Sequence, residues 1–416
     1  MPPGVRLRLT YLSCAALIVF LLSTICTGQT YKVTKLSKPA KGVNVSIHGI
    51  NSAGQVTGDA GEVFLWTPQT GMQLLGGSGG LGAAINDQGH IAGTFFVNGP
   101  AHAFLWTPAG FQDLGEGEQI SNGEALNSFD QVAGEFTPNP SQSIFHAFFW
   151  TPDDPGFQDL GTLGGSNSFA SGMNDSAQVV GSSETTGNGT APFLWSANTG
   201  MQAIPSPFEN AYAINNQGQV AGDSSSGHAA LWTHSGGTED LGALPGTTLS
   251  TAFALNNRGV AVGNSWSPSQ TGFVFIWTEA EGMQNVNTLA KNKQQNWTAA
   301  AINDAGQIAI NRKGGLALIL TPIIKMAVAS SQNPSQVGQS VTFTATASSI
   351  AGAPPDGEVI TFLDSATVLG TAPLGGGTAS FSTSGLTKGK HRITVSYPGD
   401  VNYASSVSKA LKQVVE

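Results

Sequence analysis

From the end of the N-terminal segment to about residue 322, short apolar runs alternate with Asn-, Asp- and Gly-rich punctuation, and the alternation repeats. Ala83 to Gly115 is the clearest copy. An apolar run ends at Ile85-Asn86, Asp87-Gln88-Gly89 turns the chain, and His90 to Gly93, Ala103 to Thr107 and Phe111 to Leu114 follow. Asn51, Asn86, Asn127, Asn174, Asn215, Asn256 and Asn303 anchor seven such copies, and the six intervals between first and last average 42 residues. A period of that size built from short strand-like runs is the mark of propellers and arrays. Each copy reads as four strands, a to d, with a hairpin at Asn-x-x-Gly, where Gly takes the positive φ and the Asn and Asp side chains bond the local backbone.

The third run decides the packing. Successive strand residues point to opposite faces, so Phe104 and Trp106 lie on one side and Ala103 and Leu105 on the other. Both faces are apolar, which requires a sheet covered on both sides. The expected fold is therefore all-β, a seven-bladed β-propeller of four-stranded blades over residues 29–323. The seventh copy has runs around 299–310 and 316–322 but no fourth run. Tyr31 to Ser37 has the register of a strand d without a repeat of its own, and is expected to complete and close that last blade.

After Pro322 the repeat stops. Alternating runs at 341–347, 357–364, 378–383 and 391–397, separated by Gly, Pro and Ser, predict an Ig-like β-sandwich over 324–416, joined by a connection of roughly 323–335. At the other end, residues 1–28 read as an export signal: Arg6 and Arg8, an apolar stretch from Leu12 to Leu22, and small residues at Cys26-Thr27-Gly28 before Gln29. That stretch is too short for a membrane span, so no integral span is expected in the mature chain. A lipoprotein reading would acylate Cys26, but Ile25 is a poor residue in front of a lipidated cysteine.

Composition narrows the rest. Cys14 and Cys26 are the two cysteines, so a processed chain has neither disulfide nor Cys-based metal site. A net charge of −9 without a basic cluster argues against nucleic acid as a partner.

The motifs His102-Ala103-Phe104-Leu105-Trp106, His146-Ala147-Phe148-Phe149-Trp150 and Asp159-Leu160-Gly161-Thr162-Leu163-Gly164-Gly165 give the repeat its resemblance to the HAF-type extracellular repeat of bacterial secreted proteins. Asp130 in place of the turn Gly and Leu320 in place of Trp depart from that pattern. The tail, with Pro355-Asp356-Gly357-Glu358 and Tyr397-Pro398-Gly399-Asp400, resembles a bacterial Ig-like repeat domain. The resemblance implies secretion and a surface or binding role, and carries over no catalytic residue.

Loop lengths carry the functional expectation. Each anchor Asn stands seven residues before the end of strand b, whereas the b–c connection runs from eight residues (Gly58 to Trp66) to sixteen (Gly134 to Trp150). One end of the ring is thus uniform turns and the other individual loops, where binding usually lives. Trp266 and Trp297, with Phe95 and Phe136, fall in those connections and are the candidate ligand-binding residues, by stacking on an extracellular glycan or surface polymer. The plainer alternative is that each packs its own loop.

Strand c opens with His102, His146 and His228, which are too widely spread for one metal site. Glu124 and Glu209, near the axis, are the only carboxylates placed for a glycosidase pair. Asp113, Asp159 and Asp240 read as exposed strand-d residues, and Asp87, Asp175 and Asp304 as turn-formers. There is no P-loop, dinucleotide fingerprint or HExxH, and no cofactor or metal is expected. The expected function is non-catalytic recognition or adhesion at the cell surface or outside it. The alternatives are a polysaccharide-processing enzyme using the funnel and a structural spacer.

Overall fold

The computed structural model describes residues 30–96, 99–115, 119–187, 189–268, 270–291 and 296–416. The export-signal reading and both cysteines lie outside the described residues. Among the described residues, seven four-stranded antiparallel sheets account for the repeat region. Six are simple meanders, at 46–76, 81–113, 121–159, 164–203, 208–242 and 249–285. The seventh joins Trp297–Ile302, Ile308–Arg312 and Leu316–Pro322 to Tyr31–Lys35, from the other end of the chain. Lys32 stands opposite Thr321 and Val33 opposite Leu320, and the Leu36 N–H donates to the Ala317 carbonyl at 3.0 Å.

The first strands of successive sheets touch one another in order, and the seventh touches the first, so the sheets form a cycle about an axis lined by first strands. Each sheet is packed on both faces by its neighbours. Phe104 buries in one cluster with Val63, Ile85 and Ile91, while Ala103 and Leu105 bury in another with Val132, Phe148 and Trp150. Close approach of first and second strands explains a recurring glycine. A Cβ at Gly58, Gly134 or Gly222 would lie within 2 Å of the facing strand's carbonyl oxygen.

The C-terminal unit is a two-sheet sandwich. One sheet holds Lys325–Ser330, Val341–Ser348 and Thr378–Thr383. The other holds Val359–Asp364, Thr367–Pro373, Gly389–Tyr397, Ser406–Val407 and Leu411–Val415. Strict alternation in Val341–Ser348 sends Val341, Phe343 and Ala345 inward against Ile360, Phe362, Ile393 and Val395. The stretch read as a connection, 323–335, contains the strand Lys325–Ser330, whose alternation MAVAS is too short and small-residued to stand out in sequence. A single four-residue helix, Val286–Leu289, is found among the described residues, and none is long and apolar enough to cross a membrane.

Candidate functional site

Three levels of the ring bear on function. At the turn end, the seven anchor asparagines form a closed circuit. Each side-chain N–H donates to the backbone carbonyl of the anchor in the next sheet, at 2.9 to 3.3 Å, and the circuit ends with Asn303 donating to Asn51. The same residue's Oδ1 accepts N–H groups of its own turn. Asn is the side chain that does both, because it carries a donor and an acceptor on one short stem. All seven are buried, at 3 to 6 % exposure.

The next residue forms a second belt. Asp87, Asp175, Asn216, Asn257 and Asp304 each accept a backbone N–H from the preceding sheet, at 2.7 to 2.9 Å. These aspartates are therefore cross-sheet ties as well as turn residues, which spacing within one copy does not reveal. Burial raises the Asp175 carboxyl, but hydrogen bonds from the Ser128 backbone and hydroxyl and from Asn216 outweigh it and hold the group below the usual range. A central cavity of about 260 Å³ is lined by both belts and by the apolar residue before each anchor.

Further along the axis, every first strand carries a β-bulge at the third residue before its anchor: His48, Ala83, Glu124, Ser171, Tyr212, Phe253 and Ala300. Bulges re-aim side chains, and six residue types stand at this one across the seven sheets. His48 meets Asp59 at 3.3 Å, and the Tyr212 and Phe253 rings meet edge to face at 5.5 Å. Water reaches Glu124, yet protein hems it in. Desolvation, together with the negative charge of Glu135, pushes its carboxyl up to about 7. Burial also raises Glu135, against the pull of a 2.8 Å hydrogen bond from Asn122. The partner of Glu124 is thus Glu135, on the adjacent strand of the same sheet, rather than Glu209, which lies exposed in Phe208–Ile214 of the fifth. The sequence held the signal, a Glu eleven residues on, but not the bulge that brings the two together.

At the loop end, the four aromatic candidates sit in strands rather than in loops. Phe95 lies in Ile91–Phe96, stacked on Phe111 at 5.7 Å and edge-on to Phe104. Phe136 ends Val132–Phe136 and is buried against Phe148 and Phe157. Trp297 opens Trp297–Ile302 and is 2 % exposed. Trp266 lies in Ala261–Ser267 opposite Leu249 and is half-buried. The hairpins are longer than the repeat's punctuation suggests, so residues read as loop continue the ladder. Trp266 and Trp297 do come together, on the wall of a cleft of about 440 Å³ between the sixth and seventh sheets.

The strand-opening histidines have partners within their own sheets. His102, His146 and His228 pair with Asp113, Asp159 and Asp240 at 2.8 to 3.0 Å, so each aspartate on strand d holds the histidine of its own sheet. No group of three or more His, Cys, Asp or Glu that could hold a metal occurs among the described residues.

The sandwich docks on the turn end, at the sixth and seventh sheets. Arg258 Nη1 donates to the Ala351 carbonyl at 2.9 Å, Gln307 Nε2 to the Val401 carbonyl at 2.8 Å, and the Ala404 N–H to the Pro322 carbonyl at 2.9 Å. Ala305, from a turn of the seventh sheet, buries in the sandwich core.

Residues 328–416 match the family described as bacterial Ig-like domain (group 3), and the C-terminal unit is such a domain. No curated protein matches the chain. Among solved structures the chain is similar to TolB from Acinetobacter baumannii. That likeness has 11 % identity and a TM-score of 0.40, and covers 70 % of this chain and 80 % of the other. It is similar also to the extracellular domain of a hybrid two-component system from B. thetaiotaomicron. There the identity is 8 % and the TM-score 0.43, covering 93 % of this chain and 59 % of the other.

Proposed function

We propose that the chain is an exported, non-catalytic recognition or adhesion protein: a seven-bladed propeller of HAF-type repeats, closed by its N-terminal strand and carried on the Ig-like domain. Its loop end faces a carbohydrate or cell-surface polymer. The observation that carries this reading is the docking of the Ig-like domain on the turn end through Arg258, Gln307 and Ala305. The turn end is further committed to the two belts of cross-sheet hydrogen bonds, which leaves the loop end as the surface available to a large partner. Of the aromatic candidates, Trp266 is the contact residue in this reading. Trp297 supports it from below, and Phe95 and Phe136 stiffen their own sheets. The test is retention of labelled protein on insoluble cell-wall and exopolysaccharide preparations. Charge-reversing substitutions in the b–c loops should release it, and the same substitutions at Lys388 and Lys390 of the Ig-like domain should not. Equal loss from both sets sinks the reading.

A second reading, polysaccharide cleavage in the lumen, is favoured by one observation: a carboxyl near 7 beside a second carboxyl. Hydrolysis that disappears in Glu124→Gln would establish it over simple binding.

A further inference from the structure

We propose that the cleft between the sixth and seventh sheets binds an anionic sugar, a hexuronate unit of an acidic polysaccharide, with Trp266 as the stacking wall and Lys313 as the counter-charge. This rests on the reading that the loop end meets the partner. The cleft's volume, about 440 Å³, falls within the range of small-ligand sites. It is lined by Asn264, Trp266, Gly272, Trp297, Thr298 and Lys313, with Asn296 at the rim.

Four features make it a built site. Trp266 presents a half-buried indole on the cleft wall, and Gly272, across the hairpin, lines the same cleft without a side chain. Asn264 locks the two sheets together, donating to the Trp297 carbonyl at 2.9 Å and accepting the Ala299 N–H at 3.1 Å, so the walls are set before a ligand arrives. The rim is tied by the Lys313 N–H to the Asn296 carbonyl at 3.1 Å, with Asn296 held at φ +73°. Trp297, 2 % exposed, has an indole N–H with no partner among the described residues, an unmet donor beside the cleft.

Charge selects among sugars. Among the described residues the lining contains one cation and no carboxylate, in a chain with 26 acidic and 17 basic residues. An aromatic face suits the C–H side of a pyranose ring, and an exposed lysine on a flexible stem suits a carboxylate at the ring's edge.

The experiment is calorimetric titration of the whole mature chain with tri-galacturonate and with its uncharged methyl ester. We expect the acid to bind about tenfold more tightly than the ester, a difference of about 1.4 kcal/mol, and added salt to erase most of that difference. Lys313→Gln should bring the two affinities together, and Trp266→Ala should abolish both. Lys313 is exposed, so its variant reports even if Trp266→Ala fails to fold. Equal binding of acid and ester, binding indifferent to Lys313→Gln, or equally tight binding of a tetraglutamate peptide would each overturn the assignment. If tri-galacturonate does not bind while polysaccharide retention still depends on the b–c loops, the cleft is wrong and the loop-end reading stands. If retention is lost as well, both fall.

Discussion

Asn303 closes the circuit that begins at Asn51, and it illustrates what a single side chain contributes. It donates to the Asn51 carbonyl and to Gln307 Oε1 and accepts the Gln307 N–H, all in a buried setting. Asn303→Ala leaves a buried carbonyl and a buried N–H without partners, each worth about 1–3 kcal/mol. The expected loss is about 3 kcal/mol in chemical denaturation, with Asn303→Asp intermediate because it keeps the acceptor. The second and third copies carry a compensating pair. In five copies the anchor also donates to a Gln four residues on, but the second copy has His90 there. Asp130 of the third copy accepts from Asn86 and meets His90, both at 2.8 Å, while adopting a φ of +59° at a position that Gly fills in five of the other copies and Ala177 in the fourth. The apparent lapse in the repeat is a repair of its neighbour. Glu124 makes the pH prediction at this scale. Its carboxyl sits higher in the folded chain than unfolded, so the folded state holds more protons and stability falls as pH rises from about 4.5 through about 7. Denaturation midpoints should drop across that window in the native chain and drop less steeply in Glu124→Gln, where Glu135 is still raised by burial.

At the scale of elements, the N-terminal strand does the most with the fewest residues. Tyr31–Lys35 supplies the fourth strand of the seventh sheet, and Tyr31, wholly buried, packs with Ile308, Ile310 and Leu320. In an antiparallel pair the same side of the strand faces its partner at every second residue. The Leu36 N–H bonds to Ala317, so the Thr34 N–H faces the same partner. Thr34→Pro removes that donor inside a ladder, with an expected destabilisation of about 3 kcal/mol or more. A synthetic peptide of residues 30–37 should restore the midpoint of a chain that begins at residue 38. No recovery would mean that the pairing contributes little. The runs in this strand and in strands c and d were legible because their apolar alternation is long and repeated. The hairpin ends at Phe95, Phe136 and Trp266 were not, because ladder pairing past the last apolar residue depends on the partner strand rather than on local residue type.

For the whole molecule, the sandwich and the sheets share buried residues. Ala305 and Ile324 belong to the sandwich core, and Ile350 of the sandwich packs against the cluster that holds Val260 and Ile302. Arg258 spans the junction from the sixth sheet, and Gln307 from the seventh. Arg258→Ala removes a charged donor at an exposed rim, so its effect on stability is small, on the order of 1 kcal/mol or less. Its effect on domain freedom should be larger. Limited proteolysis between residues 323 and 335 is expected to speed up several-fold in Arg258→Ala, with the thermal midpoint within a degree or two of the native chain. An unchanged cleavage rate would show that buried contacts alone hold the junction.

The repeat period, the strand order within each copy and the alternating runs of the Ig-like domain could be derived from residue order alone, because each depends on contacts made within one copy. Asn51 to Asn303 were visible as a series for the same reason. Which atoms those asparagines reach was not visible, since their partners lie in the next copy, 35 to 47 residues onward, and, for Asn303, at the chain's other end. The pairing of Glu124 with Glu135 depends on a bulge within one sheet, the end of the ring that the Ig-like domain covers on contacts between the two units, and the meeting of Trp266 with Trp297 on how copies stack about the axis. Stacking is set by complementary faces of different sheets, and no window of sequence holds both faces at once.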